Sequence, residues 1–147
     1  MTDDATMRVI EALKARYNVT VIAHAVAPRH AGRLENPDGY AKIGGSCEDT
    51  IEIFLEVKNN TIADASFTTD GCAASVAALD AALELISGKP VAAAASAAAR
   101  EKILEFLGGL PESDAHRADL AAEAVRMAVL DCDRTAQNPW KKLYRKI

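Results

Sequence analysis

Residues 50–57, Thr-Ile-Glu-Ile-Phe-Leu-Glu-Val, carry an aliphatic side chain at every second position, and this alternation constrains the fold more than any other feature of the chain. Period two puts Ile51, Ile53, Leu55 and Val57 on one face of a strand and Glu52 and Glu56 on the other. Asn59-Asn60 tolerates the positive φ of a tight turn, and residues 61–69 return as the second arm of a hairpin. Residues 40–43 add a short third strand. After Cys72 the period becomes helical, with Val76, Leu79, Leu83 and Ile86 on one stripe that Gly88 is placed to end. The alanine-dense residues 91–99 are read as helix, because alanine is the best helix former. That helix is expected over residues 91–107, burying Ile103, Leu104 and Leu107 before Gly108-Gly109-Leu110-Pro111 breaks the chain. A further helix is expected from Ser113 as N-cap, through Leu120, Ala124 and Met127, to about Cys132. Residues 5–17 and 19–26 also read as helix, with a break at Asn18. Strands first and helices later predict an α+β fold, a small antiparallel sheet of about three strands covered on one face by helices.

The chain has 147 residues, close to the commonest domain size, and is expected to form one domain over residues 1–147. Residues 1–19 would be an N-terminal helical extension and residues 135–147 a basic C-terminal tail. In that tail Trp140, Lys141, Lys142, Leu143, Tyr144, Arg145 and Lys146 suit docking on an acidic partner surface. A net charge of -4 argues against nucleic acid, whose phosphates demand a basic partner. No run approaches the roughly 18 apolar residues of a membrane span. The start Met1-Thr2-Asp3-Asp4 lacks the basic and apolar regions of a secretory signal, so a cytoplasmic location is expected. Three cysteines, an odd number, fit reduced thiols there better than a disulfide framework.

The chemistry-bearing residues sit in glycine-punctuated turns: Gly44-Gly45-Ser46-Cys47-Glu48-Asp49, then Asp70-Gly71-Cys72, then Asp114-Ala115-His116. Thiolate, carboxylate and imidazole are the donors a borderline-soft transition metal takes, while the absence of any CxxC pair disfavours a local zinc finger. Cys47 and Asp49, two apart at a strand's start, would leave the same face. Cys72 stands before a helix whose positive end favours a thiolate, the form that ligates metals. His116 falls in the first turn of the last helix, so Cys47, Asp49, Cys72 and His116 form a four-ligand set. Each alone has a blander reading: a small buried hydrophobe for either cysteine, a backbone bridge for Asp49, an exposed first-turn residue for His116. Their joint occurrence raises the metal reading above these.

Residues 24–132 resemble the NifU/IscU-like iron-sulfur cluster assembly scaffolds. Pro28-Arg29-His30-Ala31-Gly32 is similar to that family's Pro-Arg-Asn-x-Gly signature, and Gly45-Ser46-Cys47-Glu48-Asp49 to its Gly-x-Cys-Gly-Asp segment. Thr69-Asp70-Gly71-Cys72-Ala73 resembles the second ligand segment, and residues 110–121, through His116, the third. The resemblance implies a scaffold that accepts sulfide from a cysteine desulfurase, gathers iron, builds a transient [2Fe-2S] cluster and passes it to iron-sulfur acceptor proteins, with chaperones as further partners. It implies Cys47 and Cys72 as cluster ligands, Asp49 as the hard oxygen ligand that keeps the cluster labile, and His116 beside the third ligand position. Such scaffolds also bind Zn2+ through the same groups.

The departures are specific. Where the family has its third cysteine stands Arg117, a permanent cation that cannot ligate one. Glu48 replaces the usual glycine and adds negative charge beside the ligands. Cys132 lies fifteen positions beyond Arg117, about 22 Å along a continuous helix, and is read as structural. Two chains sharing a cluster in a homodimer would restore the lost ligand. Two other readings stay open: a mononuclear zinc-binding accessory of sulfur transfer, and a degenerate scaffold paralogue that only binds partners. Four protein ligands close the coordination sphere, and no nucleophile elbow or phosphate loop is present, so the chain is expected not to be an enzyme.

Overall fold

The alternating run forms the centre of a three-stranded antiparallel sheet. A computed structural model describes residues 4–45, 48–140 and 142, with residues 45, 48 and 49 described by backbone alone. In chain order the elements are α1 (Asp4–Lys14), α2 (Val19–Val26), β1 (Gly39–Gly45), β2 (Glu48–Lys58), β3 (Thr61–Thr69), α3 (Ala73–Ile86), α4 (Val91–Ala97), α5 (Arg100–Leu107), a 3-10 turn (Glu112–Asp114) and α6 (His116–Gln137). The strands lie in the order β1-β2-β3. Asn59 and Asn60 take φ of 54° and 59°, the left-handed pair that a two-residue hairpin turn requires.

Cross-strand partners share a face, so the register sorts the sheet into two sides. Ile51, Ile53 and Leu55 face the helices with Ala41, Ala65 and Phe67, all buried. α6 packs along β1 and β2 and α3 along β3, closing the core with Leu79, Leu83, Ile86 and Val125. The other side carries Glu52 as expected, together with Phe54, which is also fully buried. The Arg33 guanidinium lies 5.1 Å from the Phe54 ring and the Tyr40 ring 5.3 Å from it. Glu52 gathers the Tyr40 hydroxyl at 2.5 Å, the Thr68 hydroxyl at 2.8 Å and Arg33 at 2.9 Å. Burial pushes the Glu52 carboxyl up, but these donors outweigh it and hold it below the usual carboxylate range.

The helices depart from expectation in three places. The helix expected over residues 91–107 is two, α4 and α5, separated at Ala98 and Ala99. Ile103 and Leu107 are buried as expected, while Leu104 is only partly so. Ser113 is no N-cap: it lies in the 3-10 turn, and α6 starts after Ala115 with no side-chain cap and runs on to Gln137. Met127 on α6 is exposed. α1 ends at Lys14 rather than Tyr17 and buries no residue. Asn18, the expected break, caps α2 by accepting from Val21 N at 2.9 Å and donates through Nδ2 to Leu107 O at 2.9 Å, joining the ends of two helices. No helix among the described residues is long and apolar enough to cross a membrane.

Candidate metal centre

Two of the segments meet at the end of the sheet where β2 begins and β3 ends. Gly44, at φ 101°, marks a register shift between Ile43 and Gly45. A residue with a side chain would be strained there, so the glycine accommodates the bulge beyond which Gly45 pairs with Glu48. Cys47 lies outside the described residues, and the side chains of Glu48 and Asp49 are likewise not described. The backbone of Asp49 is in β2, beside Thr50.

Thr50 is tied to the loop after β3. Its N–H donates to Asp70 Oδ1 at 2.8 Å, its carbonyl accepts from the Thr69 hydroxyl at 2.8 Å, and the Thr69 Oγ in turn accepts from Gly71 N at 3.1 Å. This stitching sets the Asp49 backbone beside the 70–72 loop. Cys72 closes that loop as the N-cap residue of α3, with an extended backbone and its thiol exposed. Sγ lies 3.8 Å from the Ser75 hydroxyl. A thiol at this corner is open to a metal or to a partner protein.

The third segment is the 3-10 turn before α6. His116 is the first residue of α6 and is exposed, and Arg117 beside it is half-buried. Asp114, buried, accepts from the Tyr17 hydroxyl at 2.8 Å and from Arg16 at 2.9 Å through the same oxygen, Oδ2. Burial and the Asp114 carboxylate, as acceptor and as charge, push the Tyr17 phenol up to about 12 against the pull of Arg16. The Cys72 thiol adds to the rise. Arg16 and Tyr17 thus tie the chain just before α2 to the turn that precedes His116.

Among the described residues no three histidine, cysteine or acidic side chains converge as a metal site. Two of the four expected ligands have described side chains, Cys72 and His116, and both are exposed. Cys132 is elsewhere: it is buried far along α6, where a Cβ built on Gly39 would come within 2.3 Å of its Sγ. That close approach of β1 to α6 gives Cys132 a packing role. Sequence reasoning missed the residues that join the segments. Asp70 and Asp114 sat in the quoted turns without a role, and nothing local marks Arg16 and Tyr17, 97 or 98 positions from their partners.

Behind the site, the Pro-Arg-His segment is held by α3. Asp80, fully buried, accepts from Arg29 N and His30 N, both at 2.9 Å, and lies 2.5 Å from His24 Nδ1. His30 bridges Glu84 at 2.7 Å and Ala65 O at 3.2 Å. The hydrogen bond from His30, with Arg29 nearby, holds the Glu84 carboxyl below its usual range against the effect of burial. Gly32 N and His30 O then pair with Phe67 O and N along the outer edge of β3. A glycine-containing loop covers an edge strand that would otherwise offer free backbone groups.

Comparisons with known proteins agree with this fold. Residues 16–138 match the family model described as NifU-like N terminal domain. Over 116 residues the chain is 39% identical to iron-sulfur cluster assembly scaffold protein IscU 1 of Archaeoglobus fulgidus, covering 78% of this chain and 75% of that protein. It is 33% identical over 118 residues to the scaffold protein IscU of Aquifex aeolicus, covering 78% and 74%. In fold it is similar to the crystal structure of a NifU-like protein (N-terminal) from Brucella abortus, with a TM-score of 0.63, 19% identity, and coverage of 83% of this chain and 97% of that one. With its three-stranded antiparallel sheet backed by helices, the chain belongs to the NifU-like N-terminal domain family of iron-sulfur cluster assembly scaffolds.

Proposed function

We propose that this chain is an iron-sulfur cluster assembly scaffold: it gathers iron and sulfide as cargo into a transient [2Fe-2S] cluster and hands that cluster to acceptor proteins. The observation that carries the reading is the exposed Cys72 thiol in a loop hydrogen-bonded to the start of β2. Cys47, Asp49, Cys72 and His116 are the groups that hold the cargo. Two thiolates supply soft donors for iron, and the Asp49 oxygen binds less tightly than a third thiolate would, which favours release. Exposure serves transfer, since an acceptor's cysteines must reach the iron to take it. A cysteine desulfurase is the source of sulfide in this reading, and the protein catalyses no turnover of its own.

Arg117 favours a second reading. With an arginine where the family's third cysteine stands, the remaining four groups suit one tetrahedral Zn2+ in an accessory of sulfur transfer. A cluster bridging two chains would offset the same loss. The test is to incubate the chain anaerobically with ferrous iron, cysteine, a cysteine desulfurase and a dithiol reductant that takes its persulfide sulfur to sulfide, then add an apo acceptor that takes a [2Fe-2S] cluster. A scaffold develops visible cluster absorption that passes to the acceptor, and Cys72→Ala develops none. Absorption that never forms, in protein that holds one zinc per chain, selects the accessory reading.

A further inference from the structure

We infer that Arg16, Tyr17 and Asp114 form a positioning network that fixes the turn bearing His116, thereby setting the geometry in which the site grips its metal. The inference rests on the reading of Cys72 and His116 as ligands.

The need for such a network follows from the local structure. α6 begins without a side-chain cap, and the residue before it, Ala115, has helical backbone angles and no polar group to give. The preceding 3-10 turn spans three residues, Glu112–Asp114. Short turns of this kind have poor hydrogen-bond geometry and little stability of their own. An exposed histidine at the head of such a helix has no local reason to hold one direction. Asp114 supplies one from outside: its side chain, the buried acid of the turn, reaches across 97 and 98 positions of sequence to Tyr17 and Arg16. Arg16 also donates to the Ser113 hydroxyl at 3.3 Å.

A simpler account treats the contact as a surface ion pair, and Arg16 is indeed half exposed. Surface pairs contribute little, but this carboxylate is buried and satisfied by two donors at once, one of them a neutral phenol. The segment that supplies those donors is itself anchored, with Tyr17 packed on the core and Asn18 bonded to Leu107 O. The network therefore links a fixed point of the body to the turn. Both of its donors thus grip the acid two positions before His116. A ligand held in place before the metal arrives loses less freedom on binding than a floppy one.

The experiment compares the full chain with Tyr17→Phe, Asp114→Asn and Asp114→Ala. Zinc affinity is read by competition with a chromophoric chelator, and the ligand field by the absorption of the Co2+ form. Expected are affinities weakened at least threefold in Tyr17→Phe and tenfold in Asp114→Ala, with Asp114→Asn between them and shifted Co2+ bands in all three. Circular dichroism checks the fold, and Tyr17→Phe, which loses a single oxygen, carries the test if Asp114→Ala does not fold. Zinc affinities within twofold of the parent and unchanged Co2+ bands in Tyr17→Phe and Asp114→Asn would overturn the network. Amide exchange of residues 112–116 in metal-free protein separates the two levels of the argument. If the parent binds no zinc, the ligand reading fails, while faster exchange there in Asp114→Asn still supports the network and unchanged exchange refutes it.

Discussion

Asp80→Ala should be among the most damaging single truncations in the chain, and its damage should be directed at one segment. The carboxylate is fully buried and serves three donors: Arg29 N, His30 N and His24 Nδ1. Hydrogen bonds to a charged acceptor contribute about 1.5–3 kcal/mol each, and breaking a buried pair by removing one partner costs about 3–5 kcal/mol. The Arg29 and His30 amides are less enclosed than Asp80 and would recover some hydration, so the lower part of their range applies and the total stays near 3–5 kcal/mol. For a chain of this size that is a fall in Tm of roughly 6–20 °C, at about 2–4 °C per kcal/mol. Asp80→Asn keeps one oxygen for the two amides and loses only the charge facing His24, so about 1–2 kcal/mol is expected. Amide exchange supplies the directional part of the test. Gly32 N and Phe67 N, which pair residues 30–32 with β3, should lose protection in Asp80→Ala well before the β1–β2 ladder does. A Tm within about 2 °C of the parent, or Gly32 and Phe67 amides as protected as before, would refute the assignment of Asp80 as the anchor of this segment.

Gly39→Ala should cost about 1–3 kcal/mol by overpacking, since the new Cβ meets Cys132 Sγ and also the Ala128 carbonyl at 2.5 Å. Thermal unfolding reads this, and Cys132→Ala should relieve only part of it because the carbonyl stays, while leaving metal content unchanged. Glu52 and Glu84 are both held below the usual carboxylate range in the folded chain, so the stability they contribute is complete above that range and lost as the pH falls through their folded values. Urea midpoints should fall as the pH drops below the usual carboxylate range, and Glu52→Gln with Glu84→Gln should flatten that slope. Deleting residues 140–147 should leave metal content unchanged, although it removes the 2.9 Å pair between Lys142 and Asp38; loss of metal on truncation would place the tail at the site.

The sheet was readable because its signals are local. Period-two alternation with Asn59-Asn60 admits few structures besides a hairpin, and one side of β2 had to be its buried face. Phe54 escaped because what buries it is not in the strand: Arg33 and Tyr40 lie over it from a loop and a neighbouring strand. The break between α4 and α5 escaped for the opposite reason. In a run such as Ala97-Ala98-Ala99 every residue favours helix, so only tertiary packing decides where the helix ends. Ser113 has the right chemistry for an N-cap, but its turn is pulled toward Arg16 by Asp114 instead. The candidate turns could be read from glycine, cysteine and carboxylate in sequence. What fastens each of them to the body, Asp70 to Thr50 and Asp114 to Tyr17, pairs residues 20 and 97 positions apart and leaves no pattern to find.

The most direct test of the scaffold reading is to measure iron, zinc and acid-labile sulfide per chain in protein purified without oxygen, beside Cys47→Ala prepared identically. The account predicts iron with matching sulfide in the parent and neither in the variant. Zinc alone near one per chain, or iron and sulfide that survive in Cys47→Ala, would contradict it.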